Sequence, residues 1–158
     1  MALLPFERLT LRTPLSPDEV YARLAAAVEP VRWYRSPFSR AHRPYEGEIT
    51  PNGFKIRRVI NYRNSFLPAI TGRIRVDEIG SAIELVFRLH VVVAVFMVVW
   101  LGGAAAATIV GAAEILRGHA PAVAWIPLGM LVLGYAMMQG GFVIESRKAK
   151  RFFDELIR

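Results

Sequence analysis

Few residues in this chain of 158 residues are of a type suited to catalysis or cofactor binding, and they are scattered. There is no cysteine, so thiolate nucleophiles, disulfides and cysteine-ligated metals are excluded. We find no serine with a plausible His/Asp partner, no paired carboxylates on one apolar face, no glycine-rich phosphate loop and no metal-ligand spacing. The sequence therefore predicts a protein that is not an enzyme and that holds no cofactor or metal.

His90 is the one residue with a conceivable cofactor role, because it immediately precedes a long uncharged run. An imidazole there could ligate haem or a chlorophyll-type pigment. A haem between two axial histidines would need a second histidine at the same depth, and the sequence pattern puts both His42 and His119 elsewhere. We favour an interfacial, structural role for His90 and keep pigment ligation as a weaker alternative.

Residues 61–68 (NYRNSFLP) are the stretch most typical of a binding site. Polar side chains precede a Phe-Leu-Pro wedge at a connection between predicted strands, where binding residues tend to lie. We favour the alternative, a structured turn whose Asn and Ser side chains bond the backbone while the apolar pair dips into the membrane or the core. The candidates for lipid or partner contact here are Asn61, Tyr62, Arg63, Asn64, Phe66 and Leu67.

Residues 31–45 interleave arginines with aromatic residues. Aromatic rings favour the membrane interface, and each arginine near an anionic leaflet contributes about 1 kcal/mol of attraction. An equally weighted interpretation is that the aromatics pack under a sheet while the arginines are solvated. Single-stranded nucleic acid is a distant third, and we expect no nucleic-acid partner. The candidate lipid or partner contacts here are Arg32, Trp33, Tyr34, Arg35, Arg40 and Arg43.

Two uncharged runs must position these residues. One of 23 residues lies between His90 and Glu114, and one of 25 lies between His119 and Glu145. At about 1.5 Å per residue, each run is long enough as a helix to cross a hydrocarbon core of about 30 Å. The pattern predicts a membrane hairpin with spans at about 90–114 and 121–144.

Charge asymmetry predicts the orientation of the hairpin. Residues 1–89 carry 14 Lys and Arg against 9 Asp and Glu, and residues 145–158 carry 5 against 3. Basic residues near the ends of spans favour the cytoplasmic side. We expect a multi-pass protein of the bacterial inner membrane with both termini cytoplasmic. Glu114, Arg117 and His119 would then lie in the outer elbow, where capping and anchoring are favoured over metal binding.

Small and polar residues within the runs predict helix packing. Gly103, Ala107 and Gly111 recur every four residues and would let another helix approach closely. We prefer packing between the two spans over self-association or docking onto a partner. In the second run, Gly134 offers a small surface and Gln139 is expected to hydrogen-bond to the first span.

The residues outside the runs predict a small sheet with one helix. Phe6 to Thr13 is a short strand, and Ser16-Pro17-Asp18-Glu19 is a capping box that starts a helix over 17–29. Strands follow from Tyr45 to Leu89, with a positive-φ turn at Asn52-Gly53 and a bulge at Arg57-Arg58. Residues 145–158 predict a basic amphipathic helix, in which Phe152 and Phe153 contact either lipid or the sheet.

The expected fold class is an α+β membrane protein. A cytoplasmic antiparallel meander of four or five strands with one packed helix occupies 1–89, a transmembrane helical hairpin occupies 90–144, and the tail helix occupies 145–158. The tail could continue the second span or bend along the surface.

The run FKIRRVINYRNSFLPAITGRI, leading through a last strand into Leu89-His90 and a hairpin, resembles short, uncharacterised bacterial two-transmembrane-helix proteins. The resemblance covers about residues 45–100 and brings no function with it. The order strand, helix, meander and C-terminal helix is also similar to the helix-grip lipid-binding fold. That similarity is topological only, because the strands are too few and the hairpin stands where the last strands should be.

The sequence therefore favours a non-enzymatic accessory or assembly subunit of a larger membrane complex. Its partners would be membrane lipid and either another membrane protein or a second copy of the chain. The alternative is a module that binds or senses anionic lipid, and pigment ligation is the weaker third.

Overall fold

The computed structural model describes residues 4–31, 43–60, 64–118 and 122–158. In this part of the chain six strands form one sheet in the order β1-β6-β5-β4-β3-β2. The strands are β1 (Phe6–Thr13), β2 (Val28–Glu29), β3 (Tyr45–Thr50), β4 (Gly53–Arg58), β5 (Ala69–Asp77) and β6 (Gly80–Arg88). The helices are α1 (Pro17–Ala27), α2 (Val91–Leu116) and α3 (Ile126–Leu156), with a 3-10 turn at Ala122–Trp125. The predicted α+β class is confirmed.

The capping box predicted before α1 is present. The Ser16 side chain accepts a hydrogen bond from the Glu19 amide, and the Glu19 carboxylate accepts one from the Ser16 amide. The Ser16 amide and the Ser16 hydroxyl both donate to the Glu19 carboxylate, and these two hydrogen bonds lower the pKa of that carboxyl. The helix ends two residues earlier than predicted, because Val28 and Glu29 pair in parallel with Tyr45 and Glu46 as β2.

The antiparallel meander over β3 to β6 is present, and β1 joins it antiparallel to β6. Two local predictions were wrong. β4 pairs with β3 in continuous register from Gly53 to Arg58, so Arg57 and Arg58 form no bulge. The turn after Thr50 uses Pro51 and Asn52 without a positive φ at Asn52 or Gly53. Gly53 instead allows β5 to approach, since a Cβ there would lie 2.7 Å from the Gly72 carbonyl oxygen.

One face of the sheet, here called the inner face, carries the core. Successive side chains of a strand alternate between faces, so Ile83, Leu85 and Phe87 of β6 all point inward and are buried. Val20 and Leu24 of α1 pack against them. Gly72 leaves space for the Phe54 ring, because a Cβ at Gly72 would lie within 2.0 Å of that ring.

α2 and α3 form an antiparallel pair whose surface is apolar and exposed. Both helices are long and apolar enough to cross a membrane, with mean hydropathies of 2.3 and 1.5 and only 11% of either window buried. Among the described residues, 20 of the 26 exposed large hydrophobic side chains lie between Val91 and Ile144. A soluble surface rarely carries so large an apolar patch.

α3 continues without a break past the apolar run. At about 1.5 Å per residue its 31 residues extend about 46 Å, whereas a hydrocarbon core is about 30 Å thick. The C-terminal turns, from Glu145 onward, lie against the inner face of the sheet. Residues 145–158 are therefore no separate tail, because they complete the core of the sheet domain.

Candidate functional site at the junction of sheet and spans

The end of α3 packs into the sheet through aromatic side chains. Phe153 is fully buried and stacks on Phe54 at a centroid distance of 5.6 Å, and Phe152 lies 4.4 Å from the ring of Tyr45. Phe152 and Phe153 were expected to contact either lipid or the sheet, and in the structure they contact the sheet. Phe153 is not on a lipid-facing or partner-facing surface.

A buried carboxylate marks the point where α3 reaches the sheet. Glu145 is 2% exposed, and its Oε2 accepts a hydrogen bond from Nη1 of Arg58 on β4 at 2.7 Å. Its Oε1 accepts one from Nζ of Lys148 at 2.8 Å. A buried charge is costly unless it is paired, so Glu145 fixes α3 against β4 at this height. Burial is also the main cause that raises the pKa of the neighbouring Tyr45 phenol.

Polar contacts tie the remainder of α3 to the rim of the sheet. Lys150 forms an ion pair with Glu7 at the start of β1. At the end of the helix, the Thr13 hydroxyl donates to the Ile157 carbonyl at 2.9 Å, and Arg23 of α1 donates to the Leu156 carbonyl at 2.8 Å. The last turns of α3 are thus attached to β4, β1 and α1.

The described part of the predicted binding stretch, residues 64–68, docks on α3. The Asn64 Oδ1 accepts a hydrogen bond from the Phe66 amide at 2.9 Å, and Phe66 and Leu67 are half-buried. A Cβ at Gly141 would lie 3.1 Å from the Cβ of Phe66, so the absence of a side chain at Gly141 allows Phe66 to pack against α3. These contacts match the structured-turn alternative. Asn61, Tyr62 and Arg63 lie outside the described residues.

Arg43 is the candidate contact from residues 31–45 that the structure describes. The other candidates lie outside the described residues: Arg32, Trp33, Tyr34, Arg35 and Arg40. The Nη1 of Arg43 donates to the carbonyl oxygens of Ala25 at 2.9 Å and Val28 at 2.6 Å. The guanidinium therefore donates hydrogen bonds to carbonyl oxygens at the C-terminal end of α1. Arg43 thus caps α1 while its side chain remains exposed.

The predicted small-residue stripe of α2 divides between two faces. A Cβ at Gly111 would lie 2.9 Å from the Ala124 carbonyl oxygen, so Gly111 faces the second half of the hairpin. Gly103 and Ala107 are exposed, and a Cβ at Gly103 would meet nothing within 4 Å. In α3, a Cβ at Gly134 would lie 3.1 Å from Nε1 of Trp100 on α2.

The remaining polar candidates have local partners. Gln139 donates from its amide nitrogen to the Tyr135 hydroxyl at 3.1 Å within α3. The Nδ1 of His90 accepts the Val92 amide at 3.4 Å, which makes His90 the N-cap of α2. Glu114 and Arg117 form an ion pair at 2.6 Å beside the elbow, and His119 lies outside the described residues.

Sequence reasoning missed the face of the sheet opposite α1 and α3, here called the outer face. It collects side chains of strands that are distant in sequence, and most of its charges are arginines. The sequence signal was the alternation within each strand, but the pairing of β1 with β6 was needed to bring the strands together. The exposed cations of the outer face are Arg8, Arg12, Lys55, Arg57, Arg73, Arg75 and Arg88.

In the described ranges no group of three His, Cys, Asp or Glu side chains could hold a metal ion. Fold and junction together define an α+β protein with two helices that are long and apolar enough to span a membrane. Comparisons with protein-family models, with curated proteins and with solved structures each found no match to this chain.

Proposed function

We propose that this protein is a non-enzymatic interaction subunit of the bacterial inner membrane, with both termini cytoplasmic. The observation that carries the proposal is the continuity of α3 from the hairpin into the core of the sheet. A rigid attachment of this kind holds the sheet at a fixed height and rotation at the membrane surface. Such a scaffold suits a subunit that presents one surface to a partner.

Two features support the membrane placement. The exposed apolar side chains from Val91 to Ile144 would be unfavourable in water, and transfer into lipid stabilises them by about 25 cal/mol per Å² of apolar surface. The excess of Lys and Arg in the segments before and after the hairpin in sequence favours cytoplasmic termini.

Two surfaces support an interaction role. The outer face of the sheet is covered by no helix among the described residues, and Gly103 and Ala107 leave room on α2 for another helix to approach. The partner proposed is another membrane protein or a second copy of the chain.

Cysteine labelling tests the topology, because the chain has no native cysteine. Single substitutions Gly118→Cys, in the elbow, and Glu78→Cys, in the turn between β5 and β6, are treated with a membrane-impermeant maleimide on intact cells. We expect labelling of Gly118→Cys alone, and of Glu78→Cys only after the membrane is opened. The reverse pattern would contradict the orientation, and equal labelling of both in intact cells would contradict the spans.

Purification in mild detergent tests the interaction role. We expect a stoichiometric protein partner, or a dimer of the chain, to elute with the tagged protein from its native host. A bulky Gly103→Leu substitution should reduce this association if α2 takes part, whereas Gly129→Leu is the control, because a Cβ there also meets nothing within 4 Å. A lone monomer that elutes with no other protein would argue against an interaction subunit.

The second candidate function is binding of anionic lipid. Of the contacts first expected for it, Phe153 is in the core and Arg43 caps α1, whereas Arg32, Arg35 and Arg40 lie outside the described residues. The arginine excess on the outer face favours it instead.

A further inference from the structure

We propose that the membrane end of the outer face binds the phosphate headgroup of an anionic phospholipid, with Arg8 and Arg88 as its principal contacts. The inference rests on the membrane placement proposed above. It does not depend on the interaction role, because a lipid site and a protein partner can coexist on the molecule.

The pairing of the strands brings the two arginines together. Phe6 pairs with Arg88 and Arg8 pairs with Val86 across β1 and β6, and all four side chains lie on the outer face. Side chains on the same face of a strand are about 7 Å apart, so Arg8 and Arg88 occupy adjacent rows on neighbouring strands. Both are exposed.

Arg8 and Arg88, like Arg73 in the same hollow, differ from Arg12, Arg57 and Arg75 in their partners. Arg12 pairs with Asp77 at 3.5 Å, Arg75 with Glu84 at 3.4 Å and Arg57 with Glu46 at 2.6 Å. Within the described ranges, neither Arg8 nor Arg88 has a carboxylate partner. Their charge is therefore available to an anion, and guanidinium groups match phosphate oxygens in a bidentate geometry.

A hollow of about 650 Å³ lies between these side chains. Arg73 and the Thr71 side chain also line it, and in the described part of the chain the buried Thr71 hydroxyl has no hydrogen-bond partner. Among the described residues that line the hollow, Glu84 is the one acid, and Arg75 compensates its charge. The hollow is thus positive overall and offers one polar hydroxyl.

The position of the hollow favours a lipid over a soluble phosphate. Arg88 precedes the start of α2 at Val91 by three residues, which is at most about 11 Å of chain. The headgroup layer of a leaflet is about 5–7 Å thick, so the Arg88 row lies either beside this layer or at most about 4–6 Å above it. The Phe6 ring is 42% exposed in the same row, and the Arg8 guanidinium lies 5.3 Å from its centroid. An exposed ring beside paired cations suits the boundary of headgroup and acyl chain.

The experiment is lipid titration of the full chain in a mild non-ionic detergent, read by native mass spectrometry. Phosphatidylglycerol is the probe, and phosphatidylcholine and glycerol 3-phosphate are titrated in parallel. The test variant is R8Q/R88Q. The matched control is R12Q/R75Q, which removes the same two charges from the far end of the same face. The variant R8K/R88K keeps the charge, and thermal unfolding by circular dichroism confirms that each protein is folded.

We expect phosphatidylglycerol to bind the wild type in preference to phosphatidylcholine. R8Q/R88Q should weaken this binding about 30-fold, because about one phosphate contact is lost with each arginine. R12Q/R75Q should change the binding less than about threefold. R8K/R88K should bind more weakly than the wild type but more tightly than R8Q/R88Q, because lysine keeps the charge and loses the bidentate contact.

Three results would overturn the proposal. Equal losses in R8Q/R88Q and R12Q/R75Q would indicate diffuse charge and no site. Glycerol 3-phosphate binding as tightly as the lipid would identify a soluble phosphate as the ligand. Unchanged lipid binding together with loss of a co-purifying acidic protein in R8Q/R88Q would make that protein the occupant. Cysteine labelling is unaffected by all three, so failure of the site is distinguishable from failure of the membrane placement.

Discussion

Arg58 and Glu145 are 87 positions apart in sequence, yet their side chains meet at 2.7 Å beneath the sheet. Arg58 is the last residue of β4, and Glu145 follows the apolar run of α3 directly. The contact joins the sheet to the helix at the level where α3 leaves the apolar hairpin.

We expect Arg58→Ala to lower the free energy of unfolding by about 3 kcal/mol. Removing one partner of a buried ion pair typically costs about 3–5 kcal/mol, and Lys148 retains part of the compensation for Glu145. The measurement is thermal unfolding of the purified chain in detergent. The matched control is Arg75→Ala, since Arg75 and Glu84 form an exposed pair at 3.4 Å that should contribute less than about 1 kcal/mol. Equal losses in the two variants would show that burial of Glu145 has no special consequence.

Inserting one alanine after Ile144 should detach α3 from the sheet. Each added helical residue rotates the remainder of the helix by about 100°, so Ala149 and Phe153 would leave the inner face. We expect the unfolding transition of the sheet domain to be lost or lowered by more than about 10 °C, with the helical signal of the hairpin retained. A glycine inserted after Gly118, in the elbow, is the control and should leave the sheet unaffected. A normal sheet transition in the first variant would contradict the rigid attachment.

Gly141 and Gly140 provide a matched pair of adjacent positions on α3. A side chain at 141 meets Phe66 and Asn64, whereas a Cβ at 140 meets nothing within 4 Å. We expect Gly141→Leu to destabilise the protein by about 1–3 kcal/mol through overpacking. Gly140→Leu should be neutral or stabilising by up to about 1 kcal/mol, because leucine has the higher helix propensity. Thermal unfolding compares the two, and equal behaviour would mean that the loop does not need Gly141.

Alkaline pH should destabilise the sheet domain partly through Tyr45. Burial raises the pKa of its phenol in the folded state, so the unfolded chain ionises first, near about pH 10. The stabilisation is complete below about pH 10 and is lost as the pH rises above that value. The melting temperature should therefore fall more between about pH 8 and pH 11 in the wild type than in Tyr45→Phe. Tyr21→Phe, at a position of α1 that is 36% exposed, is the control and should behave as the wild type. An identical fall in melting temperature in Tyr45→Phe and the wild type would show that ionisation of Tyr45 does not contribute to the alkaline destabilisation.

Local signals were sufficient to predict much of the fold. The Ser16 to Glu19 capping box, the alternation in β1 and β6 and the two uncharged runs all depend on residues a few positions apart. Hydrogen bonds of a first helical turn and side-chain periodicity are short-range effects, so they can be read along the chain. The order of strand, helix, meander and hairpin, and the apolar character of α2 and α3, were therefore predictable from the amino-acid sequence.

The choice of which faces meet depends on long-range packing and was not predictable in this way. Phe152 and Phe153 had two possible environments in an amphipathic helix, and contact with Tyr45 and Phe54 selects the sheet. Arg8 and Arg88 look like unrelated surface charges until β1 pairs with β6 and makes them neighbours. The hydrophobic effect is non-directional and does not specify which segment covers an apolar face. The partner of an apolar or charged face therefore depends on the tertiary packing of the chain and not on the local sequence.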